Sequence, residues 1–190
     1  MKTVKYISQF LMMLVAFSTL SIAGDSAREI DRDSNGALSQ FYHEVKGSEA
    51  YLQNAKAYLV FPDVNEGGFF IGGRYGEGVL RVGGKTKAFY SITSLSAGFQ
   101  AGVKNYALVI AIISESALDK LLLDDHKWET EIATNIAIVD WNSDEEDDDI
   151  DLGSGLVGFV FDSTGMMGSV SLERIQFERI NPDGSHTSPS

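Results

Sequence analysis

The chain has 190 residues, 44% of them hydrophobic, with 19 glycines, three prolines and no cysteine; this composition is typical of one globular domain and excludes collagenous or disordered chains. Because 15 Lys and Arg face 27 Asp and Glu, the formal net charge is −12, which disfavours a general nucleic-acid-binding protein. The absence of cysteine excludes disulfides, thiolate metal sites, cysteine nucleophiles and a lipid-modified cysteine.

The first 23 residues have the pattern of a secretory signal peptide. Lys2 and Lys5 precede an apolar run over residues 7–20, and Ser21-Ile22-Ala23 offers small residues for cleavage. A retained membrane anchor is the weaker alternative, because the run is shorter than the roughly 20 residues that span a bilayer. We predict cleavage after Ala23 and export. An exported domain without cysteine fits a bacterial periplasm better than an animal secretion.

The next segment predicts an amphipathic helix that begins near Arg28. Its apolar residues recur at helical spacing, while polar side chains fill the other face. Gly47-Ser48 is expected to interrupt it. A second short helix with Tyr51 and Leu52 then leads into a strand over residues 58–61, which Pro62 is expected to terminate.

Ten glycines lie between residues 67 and 102, interspersed with aromatic and aliphatic residues. This pattern predicts short antiparallel strands joined by tight turns, with Gly83-Gly84 as a hairpin. Gly72, Gly76 and Gly78 share one strand face by alternation, so we expect another part of the molecule or a ligand to approach closely there.

The second half of the chain predicts a central strand over residues 106–113, since its apolar run is continuous. Ser114 is expected to cap a following helix. Residues 128–139 predict a strand, and an acidic segment follows over residues 140–151. Closing strands are expected over 156–161 and 169–180, with a turn or bulge near Glu173-Arg174, where the alternation changes phase.

These elements predict an α+β fold, with an antiparallel sheet or partly closed β-barrel and flanking helices. We expect three regions: a signal peptide over residues 1–23, a domain over 24–180 and a disordered polar tail over 181–190.

The motifs that often carry chemistry have simpler explanations in this chain. Residues 31–36 match the start of an EF-hand loop, but Tyr42 stands where that loop has its bidentate glutamate, so acids at a helix start are the favoured reading. The acidic run over residues 144–149 is read as a solvated loop, and weak divalent binding there stays open. No histidine pair has ligand spacing, and no Gly-x-Ser-x-Gly elbow is present. We therefore predict a non-enzymatic protein without a cofactor.

The cations of the mature chain are few, and several follow one another in the glycine-rich region. They could bind a phosphate-bearing headgroup, but solvated strand edges are the favoured alternative, because alternation places Arg74 and Arg81 on opposite faces. The cations concerned are Arg74, Arg81, Lys85, Lys87 and Lys104. The apolar stripe of the first helix is likewise read as core rather than as membrane-inserted.

Several segments together resemble the SYLF domain family over residues 28–180. In chain order they are Ala57-Tyr58-Leu59-Val60-Phe61-Pro62, Gly67-Gly68-Phe69-Phe70-Ile71-Gly72-Gly73-Arg74-Tyr75-Gly76-Glu77-Gly78, Phe89-Tyr90, Gly98-Phe99-Gln100-Ala101-Gly102, Ala117-Leu118-Asp119, Trp128, Gly158-Phe159-Val160-Phe161-Asp162 and Gly165-Met166-Met167.

The resemblance implies a lipid-binding module: eukaryotic members bind phosphoinositides, and bacterial members are typically exported. It also implies that lipid is bound by the N-terminal amphipathic helix and by a basic surface. The residues that it points to are Leu38, Phe41, Tyr42, Val45, Arg74, Arg81, Lys85, Lys87 and Lys104.

From the resemblance and the export signal we expect a non-catalytic lipid-binding module of the cell envelope, periplasmic or secreted, which contacts lipid or a membrane surface and no nucleic acid. The alternative is an envelope protein that binds another protein, or has a structural role, without a lipid ligand.

Overall fold

The computed structural model describes residues 25–68, 71–97, 102–123, 127–128, 136–140, 155–165 and 175–183. Four predictions lie outside these ranges: the signal peptide, the acidic run over 144–149, the turn near Glu173-Arg174 and most of the polar tail.

The described residues form helices and strands in an α+β arrangement, as the sequence predicts. The helices are α1 (Ala27–Glu44), α2 (Ser48–Asn54) and α3 (Glu115–Leu123). The strands are β1 (Ala57–Gly68), β2 (Ile71–Val82), β3 (Lys85–Ala97), β4 (Gly102–Ile112), β5 (Lys127–Trp128), β6 (Ile136–Asp140), β7 (Leu156–Gly165) and β8 (Gln176–Ile180).

All eight strands belong to one sheet in the order β5-β8-β3-β2-β1-β4-β7-β6. Neighbouring strands are antiparallel except β6 and β7, which are parallel. Three steps of about 4.8 Å separate β1 from β8 in a flat sheet, yet the rings of Phe61 and Phe177 on these strands lie 5.8 Å apart. The sheet is therefore open at its two edges but strongly curled.

The two faces of the sheet have separate apolar cores. The inner face, toward which the sheet curls, carries Leu59, Leu80 and Leu108 and is covered in part by α3. The outer face carries Val60 and Val109 and is covered by α1 and α2. Strand β4 is buried on both faces, because its alternate residues contribute to the two cores. The predicted central strand is thus confirmed.

Local sequence signals fix the ends of the helices. Ser26 and Glu29 form a capping box at the start of α1, and the left-handed backbone of Gly47 separates α1 from α2. The Oγ atom of Ser114 accepts a hydrogen bond from the Ala117 N–H at 3.1 Å. The predicted cap of α3 is therefore confirmed.

The hairpin between β2 and β3 also follows the sequence. Gly83 and Gly84 have φ angles of 57° and 74°, the left-handed values that a tight turn between two antiparallel strands requires at both positions.

Strand β1 is longer than predicted, because Pro62 does not end it. The pairing register of β1 with β2 shifts between Val60 and Asp63, so Pro62 lies in a bulge, where its missing N–H breaks no regular ladder bond. The strand then continues to Gly68.

The expected close approach at the glycines occurs within the sheet itself. A Cβ atom at Gly78 would lie 2.2 Å from the Val60 carbonyl oxygen and 2.7 Å from the Phe61 ring. Gly78 therefore allows the bulged strand β1 to pass closely over β2.

The single strand predicted over residues 128–139 is wrong. Its described parts are β5 and β6, which lie at opposite edges of the sheet. The error arises because the apolar pattern within the segment is local, whereas the choice of partner strand depends on distant parts of the chain.

Candidate functional site

Three adjacent strands bring charged residues together on the inner face. Glu66 on β1 is paired in register with Arg74 on β2 and with Lys104 on β4. Tyr106 lies two residues after Lys104 on β4, and its ring belongs to the inner core. We call Glu66, Arg74, Lys104 and Tyr106 the inner-face cluster.

The cations of the inner-face cluster are buried. The Arg74 side chain is 4% exposed and its Nη2 atom lies 2.9 Å from a Glu66 carboxylate oxygen, while Lys104 is 7% exposed. Arg74 Cζ lies 5.9 Å, and Lys104 Nζ 5.6 Å, from the centroid of the Tyr106 ring. Both distances are in the range of cation–π attraction, so the ring stabilises both charges.

Glu66 connects the cluster with solvent, since its side chain is 26% exposed. Ion pairing in such a position depends on geometry, because removing charges from water costs free energy that only close contacts offset. Glu66 is thus the partly exposed member of a cluster whose two cations are largely desolvated.

Tyr106 has an unusual polar environment. Its hydroxyl is buried beside the Arg74 guanidinium. Burial raises the pKa of Tyr106 well above its ordinary value; the Arg74 charge opposes this rise and the Glu66 charge adds to it. The hydroxyl therefore keeps its proton at neutral pH.

Arg81 lies on the outer face, opposite to Arg74, as strand alternation predicts. Its Nη2 atom lies 3.0 Å from Asp31 Oδ1, and the Thr86 hydroxyl donates to the same oxygen. Because Asp31 belongs to α1, this contact holds the helix against β2 and β3.

Lys85 and Lys87 are exposed beside the hairpin turn. The five cations predicted from the sequence are thus divided among three places: Arg74 and Lys104 in the inner-face cluster, Arg81 beneath α1, and these two lysines in solvent. The structure does not bring them into one basic surface.

The apolar residues predicted on the first helix pack inward. Leu38, Phe41 and Val45 are 6%, 0% and 1% exposed and belong to the outer-face core, whereas Tyr42 is 44% exposed. These three residues therefore lie in the core, as the favoured interpretation of the stripe predicts. A direct contact of the three with lipid would require α1 to leave the sheet.

The EF-hand-like residues 31–36 lie within α1 and form no loop. Asp31 pairs with Arg81, and Asp33 pairs with Arg32 at 2.9 Å. Across the part of the chain that the structure describes, no three acidic, histidine or cysteine side chains are grouped as a metal ion requires.

A cleft of about 720 Å³ on the outer face, between α1 and strands β1 and β2, was not predicted. Its walls include Asp33, Asp63, Glu77 and the 47%-exposed Tyr75. The Tyr75 hydroxyl donates a hydrogen bond to Glu77. Four carboxylates line this cleft against one cation, Arg32, which pairs with Asp33, so an anion is disfavoured there.

The sequence pattern does not indicate two members of the inner-face cluster. Glu66 is one acid among 27, and the pattern around Tyr106 predicts only the start of an apolar strand. The pairing of β1 with both β2 and β4 makes them neighbours, and alternation within single strands carries no signal for that pairing.

The chain matches no protein-family model and no curated protein. Its resemblance to the SYLF family therefore stays a prediction. None of the helices in the described ranges is long and apolar enough to cross a membrane.

Proposed function

We propose that this protein is a non-catalytic lipid-binding module of the cell envelope, and that Arg74 and Lys104 bind the anionic headgroup of the lipid. The observation that carries the proposal is the burial of two cations around one tyrosine ring.

Burial distinguishes these two cations from the exposed Lys85 and Lys87. A surface lysine keeps its hydration and needs no partner, whereas a buried charge is several kcal/mol less stable unless opposite charge and hydrogen bonds offset the loss of water. The inner-face cluster is therefore a better headgroup site than the hairpin lysines.

The ion pair supplies a mechanism of exchange. Glu66 accepts from Arg74 and is partly exposed, so an incoming oxyanion can take the place of its carboxylate on the guanidinium. Arginine suits this step because its planar group donates two parallel hydrogen bonds to a phosphate. Lys104 adds a second positive charge on the other side of β1.

The net negative charge of the chain determines how it is expected to approach an anionic membrane. A net charge of −12 repels anionic membranes over distances up to a Debye length, about 8 Å at physiological salt. Binding by the cluster therefore depends on short-range contacts. The proposal also leaves Leu38, Phe41 and Val45 in the core, so lipid binding does not require α1 to detach.

Flotation with liposomes tests the proposal. The chain without its predicted signal peptide is mixed with liposomes of neutral, anionic or phosphoinositide composition at low and physiological salt. We expect it to float with anionic liposomes. Arg74→Gln should weaken this binding about tenfold, because it removes one charge-assisted contact. Glu66→Gln should strengthen binding, because it removes the carboxylate that competes for Arg74.

Lys87→Gln is the matched control, since it removes one positive charge from an exposed position. We expect it to change binding less than twofold. If it weakens flotation as much as Arg74→Gln does, attraction is unspecific and the cluster is not the site. If the folded chain floats with no composition, lipid binding fails, and the alternative of a protein-binding or structural envelope protein takes its place.

A further inference from the structure

The outer-face cleft between α1 and strands β1 and β2 carries more negative charge than its own walls neutralise. Its one cation, Arg32, already pairs with Asp33 at 2.9 Å. Like charges around one cleft repel one another unless solvent or a positive group neutralises them. The carboxylates that line the cleft are Asp25, Asp33, Asp63 and Glu77.

The chain enters α1 through this cleft. Asp25 is one of the cleft walls, and its backbone N–H donates a hydrogen bond to Glu77 Oε2 at 3.2 Å. The Tyr75 hydroxyl donates to the other oxygen of the same carboxylate. Burial raises the pKa of Tyr75, and its hydrogen bond to Glu77 and the charges of Glu77 and Asp25 raise it further. The start of the described chain therefore lies in a region of negative potential.

Cleavage of the predicted signal peptide would place a positive charge at this point. In the uncleaved chain the nitrogen of Gly24 is a neutral amide, whereas after cleavage behind Ala23 it is an ammonium. Covalent geometry keeps the nitrogens of consecutive residues within about 4 Å of each other. The ammonium would therefore lie within roughly 7 Å of Glu77 Oε2, whatever the backbone angles are.

The carboxylates of the cleft answer a need that the ammonium has. A positive charge just before a helix is unfavourable, because the helix dipole is positive at that end, and opposite charge nearby offsets this cost. Attachment to the chain also gives the terminus an effective concentration of about millimolar at the cleft. The terminus is therefore favoured over free amines in solution.

We propose that cleavage after Ala23 creates an α-ammonium at Gly24 and that the acidic cleft is the binding site of this ammonium. The occupant is the N-terminus of the mature chain itself. The uncleaved chain lacks this ion pairing, so processing makes the domain more stable. The inference rests on the cleavage site and the cleft and is independent of lipid binding by the inner-face cluster.

The groups around the ammonium set the direction of its pKa. Besides the four carboxylates of the cleft, Glu29 and Asp183 accept backbone hydrogen bonds at the start of α1. Arg28, Arg32 and the helix dipole oppose them. Negative groups prevail, so we expect the pKa of the ammonium to exceed its ordinary range of about 7.7–8.0. The ion pairing then stabilises the folded state fully below about pH 8 and is lost as pH rises through the raised pKa.

The test compares two chains that differ only in where they begin. One covers residues 24–190 and the other residues 21–190, in which Gly24 keeps a neutral amide and the ammonium is moved three residues away. The pKa of each terminal amine is measured by NMR titration of the adjacent ¹³Cα. We expect a pKa above about 8.5 for Gly24 and one in the ordinary range for Ser21.

Thermal unfolding of the same two chains gives an independent measurement. At pH 7 the chain that begins at Gly24 should melt about 1–3 °C higher than the chain that begins at Ser21. The difference should disappear by about pH 10, where the ammonium has lost its charge. A difference that persists at this pH would come from the extra residues themselves and would contradict the ion pairing.

Two variants of the chain that begins at Gly24 locate the partner. Glu77→Gln should return the pKa of the amine toward its ordinary range, because it removes the carboxylate beside the Asp25 N–H. Glu44→Gln is the matched control, since it removes the same charge from the far end of α1, about 25 Å along the helix. It should leave the pKa of the amine unchanged.

Three results would overturn the inference. An ordinary pKa in both chains means that the ammonium does not lie in the cleft. Equal effects of Glu77→Gln and Glu44→Gln mean that only the net charge of the protein acts on it. If added spermidine raises the melting temperature of both chains equally, the cleft binds external amines and the terminus is not its occupant. Flotation with liposomes should be the same for both chains, so the proposed function stands or fails separately.

Discussion

Two glycines show how the surroundings of one Cα decide its effect on stability. Gly36 lies inside α1, and a Cβ atom there would have nothing within 4 Å. Gly78 lies in β2 beneath the bulge of β1, where a Cβ atom would collide with the Val60 carbonyl oxygen and the Phe61 ring. The first glycine only adds freedom to the unfolded chain, whereas the second permits the contact between two strands.

We expect alanine to act in opposite directions at these two positions. Gly36→Ala should stabilise the protein by about 0.5–1 kcal/mol, because alanine favours a helix over glycine. Gly78→Ala should destabilise it by about 1–3 kcal/mol, as overpacking does. Urea unfolding of both variants measures the two free energies. A stable Gly78→Ala variant would mean that β1 does not pass so closely over β2.

At the scale of the element, α1 depends on aromatic packing against the outer face. Phe41 is fully buried, and its ring centroid lies 5.2 Å from that of Phe159 and 5.4 Å from that of Phe161. Nearer the N-terminal end of α1, Asp31 accepts a hydrogen bond from Arg81. These contacts make α1 an integral part of the fold.

Phe41→Ala tests this role of α1. We expect a loss of about 3–5 kcal/mol in the free energy of unfolding, because a large side chain leaves a cavity in a core. Tyr42→Ala, at the neighbouring position on the exposed side of the helix, should cost much less. Flotation of both variants under folding conditions should match the wild type. Loss of flotation in a still-folded Phe41→Ala variant would instead indicate that α1 itself contacts lipid, as the family resemblance implies.

The elements that could be predicted from the sequence are those specified by neighbouring residues. The helix α1 has its cap and its apolar spacing within one segment, and the hairpin has two adjacent glycines. The prediction that Pro62 ends β1 is wrong, because a β-bulge tolerates proline where a regular ladder does not. The division of residues 128–139 between two edges of the sheet follows from distant strand pairings.

The candidate site could be predicted in part for the same reason. Alternation along β2 separates Arg74 from Arg81 correctly. However, Glu66 and Tyr106 become neighbours of Arg74 only because β1 lies between β2 and β4. Burial of a charge is a property of the folded molecule, so the pattern of cations in the sequence could not distinguish Lys104 from the exposed Lys87.

At the scale of the whole molecule, the inner face has two different halves. Tyr90 on β3 donates a hydrogen bond to the Leu121 carbonyl oxygen of α3 at 3.2 Å, so the helix covers that half. Four residues further along β3, Ser94 lies opposite Arg74, about 13 Å away at the rise of a strand. The curled sheet thus has an apolar, helix-covered half and a charged half.

The buried tyrosines of this inner face predict how the stability of the whole molecule depends on alkaline pH. Burial raises the pKa of both Tyr90 and Tyr106, whereas a tyrosine in the unfolded chain titrates near pH 10. Above about pH 10 the unfolded state therefore binds fewer protons than the folded state, and the free energy of unfolding falls as pH rises. Below that pH the contribution of these groups is constant.

Tyr106→Phe isolates the contribution of one group. We expect the free energy of unfolding of the variant to fall less steeply with pH than that of the wild type between pH 9 and pH 11. The reason is that phenylalanine has no proton to lose, so the folded and unfolded states differ less in the number of protons that they bind. Urea unfolding at several pH values measures both slopes, and titrations of other residues cancel in their difference. Equal slopes would show that the Tyr106 hydroxyl ionises as readily in the folded protein as in the unfolded chain, which is incompatible with a desolvated donor beside Arg74 and Lys104.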